Sequence, residues 1–114
     1  MLKLRSSGAA ALKARAAAFA ALGDATRLAV LARLAQGQPQ SISRLTAGTR
    51  LTRQAVTKHL RVLEGAGVVR SVRVGRESRF ALEAAPLDEL RDYLDLVSRQ
   101  WDEALARLKA LVED

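Results

Sequence analysis

The chain has 114 residues, 49% of them hydrophobic, a net charge of +7, no cysteine and one histidine, His59. That length suits one domain (residues 1–114) with a real core, yet small enough to gain from a partner subunit. The composition excludes disulfides, thiolate metal sites, cysteine nucleophiles and histidine-rich metal sites within one chain. No apolar run reaches the ~18 residues of a membrane-spanning helix. Lys13 and Arg15 break the alanine-rich start that could otherwise serve as a signal-peptide core. Charge is unevenly placed: residues 1–83 carry a net +11 and residues 84–114 a net −4. A basic body with an acidic end suggests that one part meets a polyanion and another does not.

In chain order, a first helix is predicted over 10–22, with Leu12, Ala16 and Phe19 on one face and Gly23 at its end. Asp24 is a natural N-cap for a second helix over 25–36, whose apolar face is Leu28, Leu31, Leu34 and Ala35. After the turn Gly37-Gln38-Pro39-Gln40, Ser41 or Ser43 caps a short helix over 42–47. Thr52 then caps a helix to Ala66, closed by Gly67. Residues 68–74 and 78–82 alternate or are β-branched, so they form a hairpin. Val72, Val74, Phe80 and Leu82 are all even-numbered, and sharing one buried face requires an odd loop, Gly75-Arg76-Glu77, that pairs Val72 with Phe80. Pro86 opens the last helix at N1, running to 112. There Leu87, Leu90, Leu94, Val97, Trp101, Ala104, Leu108 and Leu111 keep a 3-4 spacing for nearly four heptads. Such a seam is either a dimer interface or an intrachain packing face. The helix, about 40 Å long, exceeds what so small a domain can cover, which favours the dimer.

The helix opened by Thr52 is the most informative element. Val56, Leu60 and Leu63 make a narrow apolar stripe, while Arg53, Gln54, Thr57, Lys58 and Arg61 fill the remaining surface. Arg and Gln can make bidentate bonds to base edges, and Lys and Thr reach phosphates. Arg53 and Gln54 are therefore expected to read bases, Arg53 favouring guanine and Gln54 adenine, while Thr52, Lys58 and Arg61 hold phosphates. The hairpin beside it carries Arg70, Arg73, Arg76 and Arg79 against one acid, Glu77. Arg76 at its tip is expected in or along the adjacent minor groove. His59 faces partly toward the hairpin side and reads as a structural residue. The order helix, turn, basic helix, hairpin is that of a winged helix-turn-helix. The fold class expected is mostly α with one β-hairpin, the helix-turn-helix over 42–66 and the wing over 68–82.

Five segments carry a family resemblance. Gly23-Asp24-Ala25-Thr26-Arg27-Leu28 resembles the Asp-Pro-Thr-Arg opening of the second helix in ArsR-type transcriptional regulators. Ala55-Val56-Thr57-Lys58-His59-Leu60-Arg61-Val62-Leu63 resembles their Val-Ser-Lys-His-Leu-x-x-Leu core. Gly67-Val68-Val69, Gly75-Arg76 and Phe80-Ala81-Leu82 resemble their Gly-Leu-Val and wing pattern. The resemblance implies a homodimer paired through its first and last helices (10–22 and 86–112), acting as an operator-binding repressor in a bacterial or archaeal cytoplasm. It gives no enzyme, no cofactor and no catalytic residue, and leaves the effector open. The short helix, Ser41-Ile42-Ser43-Arg44-Leu45-Thr46-Ala47, lacks the family's Cys-x-Cys, and the last helix lacks histidine. The usual metal sensing is therefore not expected. Where the family often has glycine in the turn stands Arg50, with Gly48 two earlier. Either Arg50 is left-handed, at a cost of about 1 kcal/mol, or the turn differs. The alternative to a DNA reader is a winged-helix module that binds protein, but such a module has no need of these clustered arginines.

Overall fold

A computed structural model describes residues 2–113, with side chains from residue 8 onward. The elements are α1 (Leu2–Leu22), α2 (Ala25–Leu34), β1 (Gln40–Ser41), α3 (Ile42–Thr46), α4 (Arg53–Gly65), β2 (Val69–Val74), β3 (Glu77–Leu82) and α5 (Ala84–Glu113). The helix order and the hairpin are as the sequence predicts. Helix α1 begins eight residues earlier than expected. Helix α5 begins at Ala84, so Pro86 is its third residue rather than its first; it still lies in the turn whose N–H groups lack intrahelical partners. The short strand β1 pairs with β3 and makes the wing a three-stranded antiparallel sheet, ordered β1-β3-β2.

Local chemistry explains the helix ends. Asp24, Ser41 and Thr52 are N-caps, accepting from the backbone N–H of Arg27, Arg44 and Ala55. Helix α4 closes in a Schellman arrangement: Gly67 N donates to Glu64 O at 3.0 Å and Val68 N to Leu63 O at 3.1 Å. Leu63 and Val68, the apolar pair that accompanies this closure, are both fully buried.

The core lies where α4 crosses the other helices and the base of the wing. Val56, Leu60 and Leu63, the predicted stripe, are fully buried and meet Leu45, Val68, Val69 and Phe80, with Val30, Leu31 and Leu34 from α2 and Ala18 and Ala21 from α1. Each large aliphatic side chain so buried contributes about 1.5–3 kcal/mol. The expected face of α2 is corrected in two positions, Leu28 and Ala35, the latter being the exposed C-cap residue just past the helix. Leu28 is 51% exposed and Val30 takes its place in the core, because α2 buries residues 30, 31 and 34.

The wing register also differs from the parity argument. The turn has two residues, so Ser71 lies opposite Phe80 and Val72 opposite Arg79. Gly75 has φ +64 and Arg76 is not left-handed, the sign pattern of a type II′ turn whose twist matches the strands. Val69, Phe80 and Leu82 thus face the helices, while Val72 and Val74 lie on the outer face, Val74 exposed. The even-numbered set was expected to be buried together, but the two-residue turn places Val72 and Val74 opposite Arg79 and Glu77, on the face away from Phe80.

Candidate nucleic-acid interface

The turn between α3 and α4 is set by two features. Gly48 takes φ +77, and among the described residues no non-glycine residue has positive φ. The turn therefore differs from the family's, and Arg50 carries no left-handed strain. The second feature is Arg33 on α2. Its Nη1 donates to the carbonyls of Leu45 and Ala47, both at 2.9 Å, and lies 3.3 Å from that of Arg44. One guanidinium thus holds the C-terminal carbonyls of α3, where a cation is favoured. Gln40 Nε2 in turn donates to Arg33 O at 2.7 Å. The partners lie 11 to 14 residues away in sequence, so no local signal marks this reach from α2 to α3.

The start of α2 is built similarly. Asp24 Oδ2 accepts from Arg27 N, and the Arg27 side chain reaches back, Nε to Ala21 O at 2.6 Å and Nη2 to Ala20 O at 3.3 Å. The Asp-x-x-Arg part of the resembling segment is therefore a double cap, closing α1 and opening α2. The backbone N–H of Arg27 holds the Asp24 carboxyl below the ordinary carboxylate range, against a smaller opposing effect of burial. His59 Nδ1 lies 4.0 Å from Asp24 Oδ2. It thus faces the start of α2 rather than the hairpin.

On α4, Gln54, Lys58 and Arg61 are exposed along one face, at i, i+4 and i+7. The Thr57 hydroxyl donates to Arg53 O at 2.7 Å, and the Thr52 oxygen is engaged as the cap. Arg61 pairs with Glu64 at 3.2 Å, and Glu64 accepts from the Ser71 hydroxyl at 2.6 Å, tying α4 to the wing. Arg53 is exposed as well, but its side chain leans toward α3. Its Nη1 donates to Ser43 Oγ on α3 at 2.7 Å.

The wing arginines do not form one group. Arg73, opposite Ser78, shares the Phe80 face, while Arg79 lies on the outer face and pairs with Glu77 at 2.7 Å. Arg70, on that outer face, pairs with Glu83 at 2.6 Å, and Arg76 occupies the tip.

Of the expected dimer residues, Leu90 is 6% exposed and belongs to the core of its own chain; Leu87 and Phe19 pack against that core. Phe19 and Arg15 both meet Tyr93, the ring centroids 6.0 Å apart and the guanidinium 4.3 Å from the Tyr93 centroid, so α1 already leans on α5 within one chain. Leu12, Ala16, Leu94, Trp101, Leu108 and Leu111 are exposed and Val97 is half-buried. Among the described residues no three His, Cys, Asp or Glu side chains gather closely enough to hold a metal ion. No described helix is long and apolar enough to cross a membrane.

Comparison with known proteins agrees with this geometry. A helix-turn-helix domain family matches residues 22–72. The HTH-type transcriptional regulator Rv2034 of Mycobacterium tuberculosis is 35% identical over 96 residues, 84% of this chain and 86% of that protein. The structure of an ArsR-like transcriptional regulator from Rhodococcus sp. RHA1 matches with a TM-score of 0.78 and 37% identity, over 90% of this chain and 95% of that one. A structure described as the homodimeric winged helix-turn-helix DNA-binding domain of a possible ArsR-family regulator from Mycobacterium bovis matches at 0.65 and 26%, over 86% and 87%. Fold, interface and relatives together place this chain in the ArsR family of winged helix-turn-helix DNA-binding transcriptional regulators, which are not enzymes.

Proposed function

We propose that the protein is a homodimeric repressor that reads an inverted-repeat operator in a bacterial or archaeal cytoplasm, with α4 of each protomer in a major groove. The observation that carries this reading is the bare apolar seam of α5. From Leu94 to Val112 it exposes Leu94, Trp101, Leu105, Leu108, Leu111 and Val112, with Trp101 68% exposed. The helix has 30 residues and is thus about 45 Å long, in a molecule 65 × 38 × 22 Å in extent. A second α5 covers such a seam, and the related Mycobacterium bovis domain is described as a homodimer. Two copies of α4 then meet half-sites about 34 Å apart. Gln54 is the candidate base reader. Lys58, Arg61, Thr52 and, at the wing tip, Arg76 supply contacts to the strand backbone, with Arg73 and Arg79 flanking the tip on opposite faces of the wing.

Light scattering tests the assembly. The expected mass is twice the 12.3 kDa of the chain. Leu108→Glu, placing a charge on the seam, is expected to give a monomer with about a hundredfold weaker operator binding, since the two half-sites no longer act together. A monomeric unaltered protein at micromolar concentration refutes the proposal.

A further inference from the structure

Arg53 is the first residue of the recognition helix, and sequence alone assigns it to a base edge. In the structure the side chain, though exposed, leans toward α3. Its guanidinium donates to Ser43 Oγ at 2.7 Å and lines a cleft of about 450 Å³ between α3, the start of α4 and the wing tip. Ser41, Ser43, Ser78, Arg76 and Glu77 also line it. The Ser43 oxygen accepts from Arg53 and the Ser41 oxygen from Arg44 N, so both hydroxyl protons remain free to donate. The one acid, Glu77, is paired with Arg79 at 2.7 Å, which offsets its charge. The cleft therefore presents two guanidinium groups and three hydroxyls with a compensated carboxylate: a donor set for an oxyanion.

The position of the cleft identifies the oxyanion. One sugar-phosphate strand separates the major groove from the adjacent minor groove. A protein with α4 in the first and its wing tip at the second straddles that strand. Whatever passes between Arg53 and Arg76 is then a run of phosphodiesters. We infer that Arg53 is a phosphate clamp, closing with Arg76 and Ser43 on the strand between the two grooves, and that it does not read a base. This rests on the placement of α4 proposed above. Base discrimination near the start of α4 then passes to Gln54, which faces outward.

The test uses the full-length protein and a duplex selected by it from a random pool, with every single-base-pair variant of that duplex, titrated at several salt concentrations. Arg53→Ala is expected to weaken all duplexes by about tenfold, leave their ranking unchanged, and lower the slope of log K against log salt by about one per half-site. Arg53→Lys is expected to restore the slope. Replacing single phosphates by neutral methylphosphonates supplies the second measurement. One position per half-site should weaken the unaltered protein while leaving Arg53→Ala unaffected. Loss of discrimination at one base pair with an unchanged slope overturns the inference and restores Arg53 as a base reader, while leaving the DNA-reading proposal intact. Salt-independent binding, or none, by the unaltered protein overturns both.

Discussion

Replacing Arg33 with Met keeps the apolar stem and removes the guanidinium that holds α3. Nη1 carries two protons and faces three carbonyls, of which those of Leu45 and Ala47 are at 2.9 Å, so two bonds are lost. A hydrogen bond to a charged group contributes about 1.5–3 kcal/mol when shielded. These bonds are part-buried or exposed, and water reaches the freed carbonyls, so about 1 kcal/mol each is the expected loss. Unfolding entropy of about 2.1 cal/mol/K per residue gives a chain of this length about 0.24 kcal/mol/K, so 2 kcal/mol lowers Tm by about 8 °C. Circular dichroism melts at one fixed protein concentration measure this, since association makes Tm concentration-dependent. Arg33→Lys, retaining a charge but not the planar fork, should fall between. A Tm within about 2 °C of the unaltered protein for Arg33→Met would refute the view that one side chain from α2 fixes the short helix.

Gly48→Ala should destabilise by about 1–2 kcal/mol because φ +77 disfavours any Cβ, although a Cβ there makes only an ordinary contact with Arg33 Nη2 at 3.6 Å. Arg50→Gly should not stabilise, since Arg50 is unstrained; chemical denaturation of both variants reads the contrast. The Asp24 carboxyl has its pKa lowered in the folded state. Its contribution is therefore present above the ordinary carboxylate pKa and is lost as pH falls through the folded value. Asp24→Asn keeps a capping oxygen and should flatten the acid side of the stability profile, measured as denaturation midpoints from neutral pH down to pH about 3. An unchanged acid limb would show that the cap is indifferent to charge.

Most of the fold was legible because its signals are local. Asp24, Ser41 and Thr52 cap where capping chemistry says they should, and the 56-60-63 stripe of α4 is the centre of the core. What escaped was tertiary. Leu28 has the right spacing for the core face, yet only the position of α4 decides that α2 turns Val30 inward. Apolar strand residues need not all be buried, and Val72 and Val74 lie on the outer face of the wing. Strand β1 is two residues long and too short to carry a periodic signal. In the interface, residue types were readable but directions were not. Arg53 turned toward α3 and His59 toward Asp24, because side-chain partners from other elements choose among rotamers that the sequence leaves equal, while the two-residue turn of the hairpin set Arg73 and Arg79 on opposite faces.

The double cap at Asp24 and Arg27 makes α1 a lever with a very short fulcrum. Arg27, only three residues into α2, grips the last carbonyls of α1, and α1 extends 21 residues from that grip, about 31 Å. A tilt of about ten degrees at the turn sweeps the far end through about 5 Å, roughly the rise of one helical turn. Small changes around these two side chains are thus magnified along α1 beyond the contact of Arg15 and Phe19 with Tyr93.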